Sequence, residues 1–342
     1  MASDNYLLWV ANETPTVWWH DSADPAELEV GLQRGAVGVT TNPVLTYTAL
    51  KANPDRWGHL PAALPKDLTP AERAEELMRH VVVSAAGMFA PIHASSGGEN
   101  GYVCAQVNPN LAWDADAMIA MARRYHAWAP NIAVKLPVTL AGLEALEVLV
   151  GEGVTITATV SYNVPQMLQV AAYHERGRAR AAGAGVAPGH CFAVQMIGRI
   201  DDYLREVARD AHAPVTEDDI RLAGLAMAKR AYAVYCQEGY HAKLLVAALR
   251  GNYHMTELVG ADVVMSIHPK SQTPLLEAGV PREERIAQPI DPQAIARLQA
   301  MPEFVRCYEP DGMRPEEFFA FGVVQRTLTQ FATTGWDLLE AL

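Results

Sequence analysis

Asn131-Ile132-Ala133-Val134-Lys135-Leu136-Pro137 is a short apolar run that carries a lysine and is closed by a proline. A run of this length between turn signals reads as a buried strand. Lysine is almost never fully buried without a partner, so its presence at the end of such a strand is informative. An amine held among Ala133, Val134 and Leu136 is poorly solvated, which disfavours the ammonium form and leaves a neutral, nucleophilic nitrogen. That is the state a Schiff-base lysine needs. The competing reading is an ordinary strand-end lysine that snorkels to water. The rest of the chain decides between them.

Working outward, similar short runs recur at 16–21, 35–41, 101–107, 154–160, 191–197, 243–247 and 261–266. Together with 132–136 they make eight expected strands. Between them lie helical patterns: one opened by Pro25, one through Leu50, then 71–90, 114–128, 141–150, 164–174 and 217–238. Strands alternating with helices predict parallel βαβ units, and eight is the number that closes a TIM barrel. A doubly wound sheet would more comfortably carry a Gly-rich phosphate turn after its first strand, and the sequence has none. The expected fold class is therefore α/β, a (β/α)8 TIM barrel. It is read as a single domain over 1–342, with a barrel core at about 16–270 and a helical tail at about 271–342. The Pro-rich stretch 53–70 reads as a long loop, a candidate lid or contact surface. The Arg/Ala/Gly stretch 176–189 reads as a mobile insertion, and 315–342 as a long helix.

In a TIM barrel the active site lies at the C-terminal strand ends. Those ends deliver Asp21, Asn42, Gln106 with Asn108, Lys135, Thr159 with Ser161, Arg199, Arg250, and Ser266 with His268. Lys135 is the expected nucleophile toward a ketone, and the resulting iminium is an electron sink that lets a neighbouring carbon–carbon bond break. Asp21 is the carboxyl group available to move the proton of the adjacent hydroxyl. Gln106 and Thr159 suit a water that shuttles protons. Asn42 can donate to and accept from substrate hydroxyls. Arg199 and Arg250 suit a phosphate at the far end, because guanidinium forks match phosphate oxygens.

With these residues in place the chain resembles the transaldolase family. The matching pieces are His20-Asp21-Ser22-Ala23-Asp24, Val39-Thr40-Thr41-Asn42-Pro43, Val134-Lys135-Leu136-Pro137, Thr159, and Ile197-Gly198-Arg199-Ile200-Asp201. They fall in family order over about residues 16 to 270. The resemblance implies a class I enzyme that moves or releases a dihydroxyacetone unit through a lysine Schiff base, with no metal and no cofactor. It implies Lys135 as nucleophile, Asp21 as acid/base, Asn42 as a hydroxyl ligand, and Arg199 and Arg250 as phosphate ligands. Transaldolases carry Glu where this chain has Gln106, and the fructose-6-phosphate aldolase branch carries Gln there, with a Thr matching Thr159. Met196 stands where that branch places Tyr and transaldolases place Phe. Val194 and Ala248 stand where many members offer serines. The expected function is transaldolase-type transfer from a ketose phosphate to an aldose phosphate, within carbohydrate metabolism and the pentose phosphate pathway. The alternative is an aldolase-like lyase that releases free dihydroxyacetone.

Composition agrees. The 342 residues are 50% hydrophobic and 19% charged, as in a globular protein with a sizeable core. A net charge of -12 argues against a nucleic-acid partner, leaving small sugar phosphates as the expected ligands. No run reads as a signal peptide or membrane span, and four scattered cysteines without a CxxC pair fit a cytoplasmic protein. The apolar tail (Phe318, Phe319, Phe321, Val324, Leu328, Phe331) is expected to pack on its own barrel, and a homo-oligomer is left open. Two rivals remain. One is a metal-dependent hydrolase using His20, Asp21, His93 and His268, which lacks any His-x-His or HExxH pair. The other is a catalytically silent barrel that binds a sugar phosphate.

Overall fold

The computed structural model describes residues 5–277 and 279–342. Seven strands form one sheet: β1 (Val17–His20), β2 (Val103–Gln106), β3 (Ile132–Pro137), β4 (Ile156–Thr159), β5 (Cys191–Met196), β6 (Lys243–Ala247) and β7 (Val264–Ile267). Their order is β1-β7-β6-β5-β4-β3-β2, and every neighbouring pair is parallel. The strands are nearly continuous buried runs, as expected when helices cover the outer face of a parallel sheet. The sheet is curled, and its two edge strands, β1 and β2, come to either side of Val39.

The expected strand at 35–41 is not a regular ladder. Val39 alone makes single parallel bridges, to His20 on one side and Val103 on the other. Around it, His20 N donates to the Gly38 carbonyl at 2.8 Å and Cys104 N to the Val39 carbonyl at 2.9 Å. The segment is short for local reasons. It enters from Gly35 at φ +90° and leaves into the helix capped by Asn42. At Gly38 a Cβ would lie 2.6 Å from the Trp19 indole, so a side chain there has no room. The architecture is TIM-barrel-like.

Three other expectations are corrected. The supposed mobile insertion at 176–189 is mostly the end of the helix Val164–Ala184, which stops at Gly185 in the left-handed conformation. Its arginines and alanines favour helix, and Arg176 and Arg180 both pair with Glu147 on the adjacent helix Leu140–Gly151. The stretch 53–70 holds two short helical turns, Pro54–Trp57 and Leu60–Ala63, whose Trp57 and Leu60 are buried. It lines no part of the candidate site described below. The tail is not one helix. It runs Pro315–Phe318, Gly322–Phe331, a π turn at Ala332–Trp336, and Asp337–Glu340. The π turn packs on the start of the helix Pro43–Ala52, where a Cβ at Gly335 would lie 2.6 Å from Val44 N. Several helices went unread in the sequence, among them Tyr6–Glu13, capped by Asn5, and Ile197–Asp210, which follows β5 with no intervening loop. Among the described residues no helix is long and apolar enough to cross a membrane.

Candidate active site

A cavity of about 370 Å3 opens at the C-terminal ends of the strands. Strand alternation builds its wall. Val194 and Met196 of β5 and Leu245 and Ala247 of β6 face it, with Cα partners Val194 to Leu245 and Met196 to Ala247. Of the twelve residues singled out from the sequence (eleven polar strand-end residues and Met196), nine line it: Asp21, Asn42, Lys135, Thr159, Met196, Arg199, Arg250, Ser266 and His268.

Lys135 is buried at 6% exposure, and its Nζ donates to the Thr41 carbonyl at 2.9 Å. Its partner is thus a neutral oxygen. The Thr40-Thr41-Asn42 segment does three separate things in three residues. Thr40 Oγ1 donates to Asp21 Oδ1 at 2.7 Å, Thr41 supplies the carbonyl to Lys135, and Asn42 Oδ1 accepts from Leu45 N at 3.0 Å. That last bond caps the helix Pro43–Ala52 and leaves the Asn42 amide NH2 free to donate. Thr40 Oγ1 also lies 2.6 Å from Ser266 Oγ. Because the single Thr40 proton goes to Asp21, Ser266 is the donor in this second contact. The result is a directed line of hydroxyls ending on the carboxylate.

Gln106 is the register partner of Lys135 and therefore shares its face. It is buried, and its Oε1 has no hydrogen-bond partner among the described residues. A buried acceptor left unmatched costs about 1–3 kcal/mol, so a group of this kind calls for a partner. Gln106 does not itself line the cavity, and neither do Asn108 and Ser161. Asn108 uses its side chain to accept from Asn110 N at 2.9 Å. Ser161 donates to the Val194 carbonyl. The Ser161 hydroxyl and the Asn108 amide oxygen thus each meet a nearby backbone group.

Two strand ends are strained. Val160, directly after Thr159, has φ 56°, and Ala248, directly after β6, has φ 58°. A non-glycine residue in this region costs of order 1–3 kcal/mol and persists only where its surroundings impose it. At the second site Gly198 allows the close approach, since a Cβ there would lie 2.2 Å from the Ala248 carbonyl and 2.5 Å from Arg250 Cγ. That contact draws Arg199, in the first turn of Ile197–Asp210, toward Arg250.

The two arginines are held differently. Arg250 is clamped by Asp202 through Nε at 2.9 Å and Nη2 at 2.7 Å. Burial alone would push the Asp202 carboxyl up, but Arg250 and Arg205 outweigh it and hold it below the usual range. Arg199 instead meets neutral oxygens, Gln330 Oε1 at 2.7 Å and Thr327 Oγ1 at 3.4 Å, and burial shifts its guanidinium downward from its ordinary value. Gln330, Thr327, Phe331 and the cavity-lining Lys270 and Ser271 were missed in the sequence. Lys270 had a local signal, two residues beyond His268; the tail residues had none.

The ligand set of the metal reading does not assemble. Among the described residues no three His, Cys, Asp or Glu side chains are grouped to hold a metal ion. His93 contacts the Asn100 carbonyl, His20 is buried against Gln272, and only Asp21 and His268 line the cavity. Burial lowers the His20 pKa to about 4.

Residues 18–309 match the family described as Transaldolase/Fructose-6-phosphate aldolase. The chain belongs to this family. Curated relatives carry the first of these names. A transaldolase of Neisseria meningitidis serogroup A is 35% identical over 213 residues, 60% of this chain and 58% of that protein. One from Arthrobacter is 30% identical over 230 residues, 64% and 61% of the two chains. One from Thiobacillus denitrificans is 27% identical over 310 residues, 83% and 84%. The match thus spans less than two thirds of the Neisseria and Arthrobacter relatives. Family membership accords with the polar residues that the fold gathers at one end of the sheet.

Proposed function

We propose that this chain transfers a dihydroxyacetone unit from a ketose phosphate to an aldose phosphate through a Schiff base on Lys135. The observation that carries the reading is the buried Lys135 amine, bonded to a carbonyl rather than a carboxylate, in one cavity with Asp21. Lys135 Nζ adds to the ketone carbon, and loss of water gives an iminium. Asp21 takes the proton of the hydroxyl on the far side of the bond to be cleaved. The bond electrons flow into the iminium, an enamine remains on Lys135, and an aldose phosphate leaves. Attack of the enamine on a second aldose phosphate, whose carbonyl oxygen takes the proton from Asp21, gives a new iminium, and its hydrolysis completes transfer. Protonation of the enamine followed by hydrolysis completes release instead. Gln106 and Thr159 hold the water of these steps, Asn42 donates to a substrate hydroxyl, and Arg199 and Arg250 take the phosphate. Met196 shapes the wall between them.

The lyase outcome is kept as a second reading because of one observation: the unmatched Gln106 Oε1 beside Lys135, a neutral amide where transaldolases carry a carboxylate. In the same reading, residues 37–40 act as the second strand of a closed (β/α)8 barrel. The chain is then one domain whose tail, 271–342, reaches the barrel mouth. The free cysteines fit the cytoplasmic setting this function assumes.

Borohydride trapping with fructose 6-phosphate, read by intact mass and peptide mapping, tests the proposal. The expected product is a reduced three-carbon adduct on Lys135. A six-carbon adduct would point to a different ketose as substrate. No adduct with any of a panel of ketoses, from folded protein, would overturn the Schiff-base reading in favour of a silent binding barrel. Assay of free dihydroxyacetone with and without erythrose 4-phosphate separates release from transfer.

A further inference from the structure

We propose that the C-terminal helix Gly322–Phe331 is part of the anion subsite, and that Gln330 is a positioning residue that aims Arg199 at the phosphate end of the sugar. The inference rests on the functional reading above, which assigns Arg199 to a phosphate. Three contacts hold the guanidinium from this helix: Gln330 Oε1 at 2.7 Å, Thr327 Oγ1 at 3.4 Å, and the Phe331 ring, whose centre is 5.6 Å from the guanidinium carbon. Phe331 lines the same cavity as Arg199. The helix is itself anchored, because the buried Tyr162 hydroxyl donates to Thr327 Oγ1 at 2.6 Å and lies 3.3 Å from the Val323 carbonyl.

The chemistry of the partner matters more than its presence. An amide oxygen and a hydroxyl orient a guanidinium without cancelling its charge. A carboxylate in the same place would offset it, as Asp202, which Arg250 shares with Arg205, partly does for Arg250. Arg199 therefore offers its charge to an incoming phosphate, and a charge-assisted, forked contact is the strong kind. Gln330 lies 131 residues from Arg199 in the chain, so only the fold brings them together.

The test compares Gln330→Leu, Gln330→Glu and the parent by calorimetric titration with fructose 6-phosphate, and by borohydride trapping with dihydroxyacetone, which carries no phosphate. Gln330→Leu is expected to weaken fructose 6-phosphate binding about 5-fold, the loss of one hydrogen bond to a charged group. Gln330→Glu is expected to weaken it further, about 20-fold or more, because it neutralises Arg199. Dihydroxyacetone trapping should stay at the parental rate in both. Equal effects of the two substitutions, or trapping that falls together with phosphate-sugar binding, would overturn the proposal and leave the helix a purely structural element. Its failure is separable from failure of the functional reading. A parent that binds fructose 6-phosphate with these variant effects but traps no ketose sinks catalysis and keeps the subsite; a parent that traps ketoses with unaltered variants does the reverse.

Discussion

The sheet has a cavity at each end, and the larger one is at the end without the candidate chemistry. At the N-terminal strand ends a cavity of about 450 Å3 is lined by Val17, His190, Cys191, Lys243 and Asp262, among others. At the C-terminal ends the cavity is about 370 Å3. The contrast lies in how charge is treated. In the larger cavity Lys243 pairs with Asp262 at 2.5 Å, and His241 lies 3.0 Å from Glu175. In the smaller one Lys135 is bonded to a carbonyl and Arg199 to an amide and a hydroxyl, while Lys270 makes no ion pair among the described residues. Arg250 is the exception, paired with Asp202, which it shares with Arg205. Cations without carboxylate partners in a polar cavity are available to an anionic substrate, whereas paired ones contribute to the fold. Volume alone would have chosen the other end.

That contrast can be broken most sharply at Lys135. Lys135→Met should lower turnover on the order of 10^4-fold or more, with loss of the borohydride adduct, because it removes the nucleophile itself. A variant that kept near-parental turnover would move the chemistry away from this cavity. A smaller effect is expected from the hydroxyl line that ends on Asp21. Thr40→Val removes the proton given to Asp21 and should lower kcat/KM about 10-fold, with Ser266→Ala costing less, since it touches Asp21 only through Thr40. Steady-state kinetics that ranked Ser266→Ala above Thr40→Val would show that the line does not act through Asp21.

The smallest effect on turnover is expected at the opposite end, where the consequence is stability. His174 is buried, contacts the Gly189 carbonyl at 3.2 Å, and burial lowers its pKa from the ordinary 6.5 to about 4. Between those pH values the unfolded chain binds more protons at this position than the folded one. The folded state is therefore unaffected above pH 6.5 and loses stability as the pH falls toward 4, by up to about 3 kcal/mol from this group. His174→Gln should flatten the acid limb of stability measured by denaturant titration while leaving turnover unchanged. An acid limb as steep as the parent's would assign the proton uptake to other groups, His20 first among them.

Legibility from sequence followed how local the cause was. The strand runs other than 35–41 and the strand-end lysine are local patterns, and the structure places them where expected. The helix Ile197–Asp210 was hidden because it starts without a loop, directly from the strand residue Met196. Asn108 and Ser161 stand at strand ends but lie outside the cavity, the amide oxygen of one and the hydroxyl of the other meeting nearby backbone groups. The segment 176–189 looked loose because its arginines lacked visible partners; Glu147, which pairs with two of them, lies on the preceding helix.

By itself the sequence determined an α/β fold of short parallel strands, and a lysine, an aspartate, an asparagine and two arginines at the same end of it. Strand-end position depends on hydrophobic runs a few residues long, and those are written in the chain. What only the tertiary structure decided is which of these groups keep their charge free. That depends on partners far away along the chain, Gln330 for Arg199 and Asp202 for Arg250, and on a tail that turns back to the cavity. Electrostatic availability is a property of neighbours in space, and the packing of distant segments chooses those neighbours.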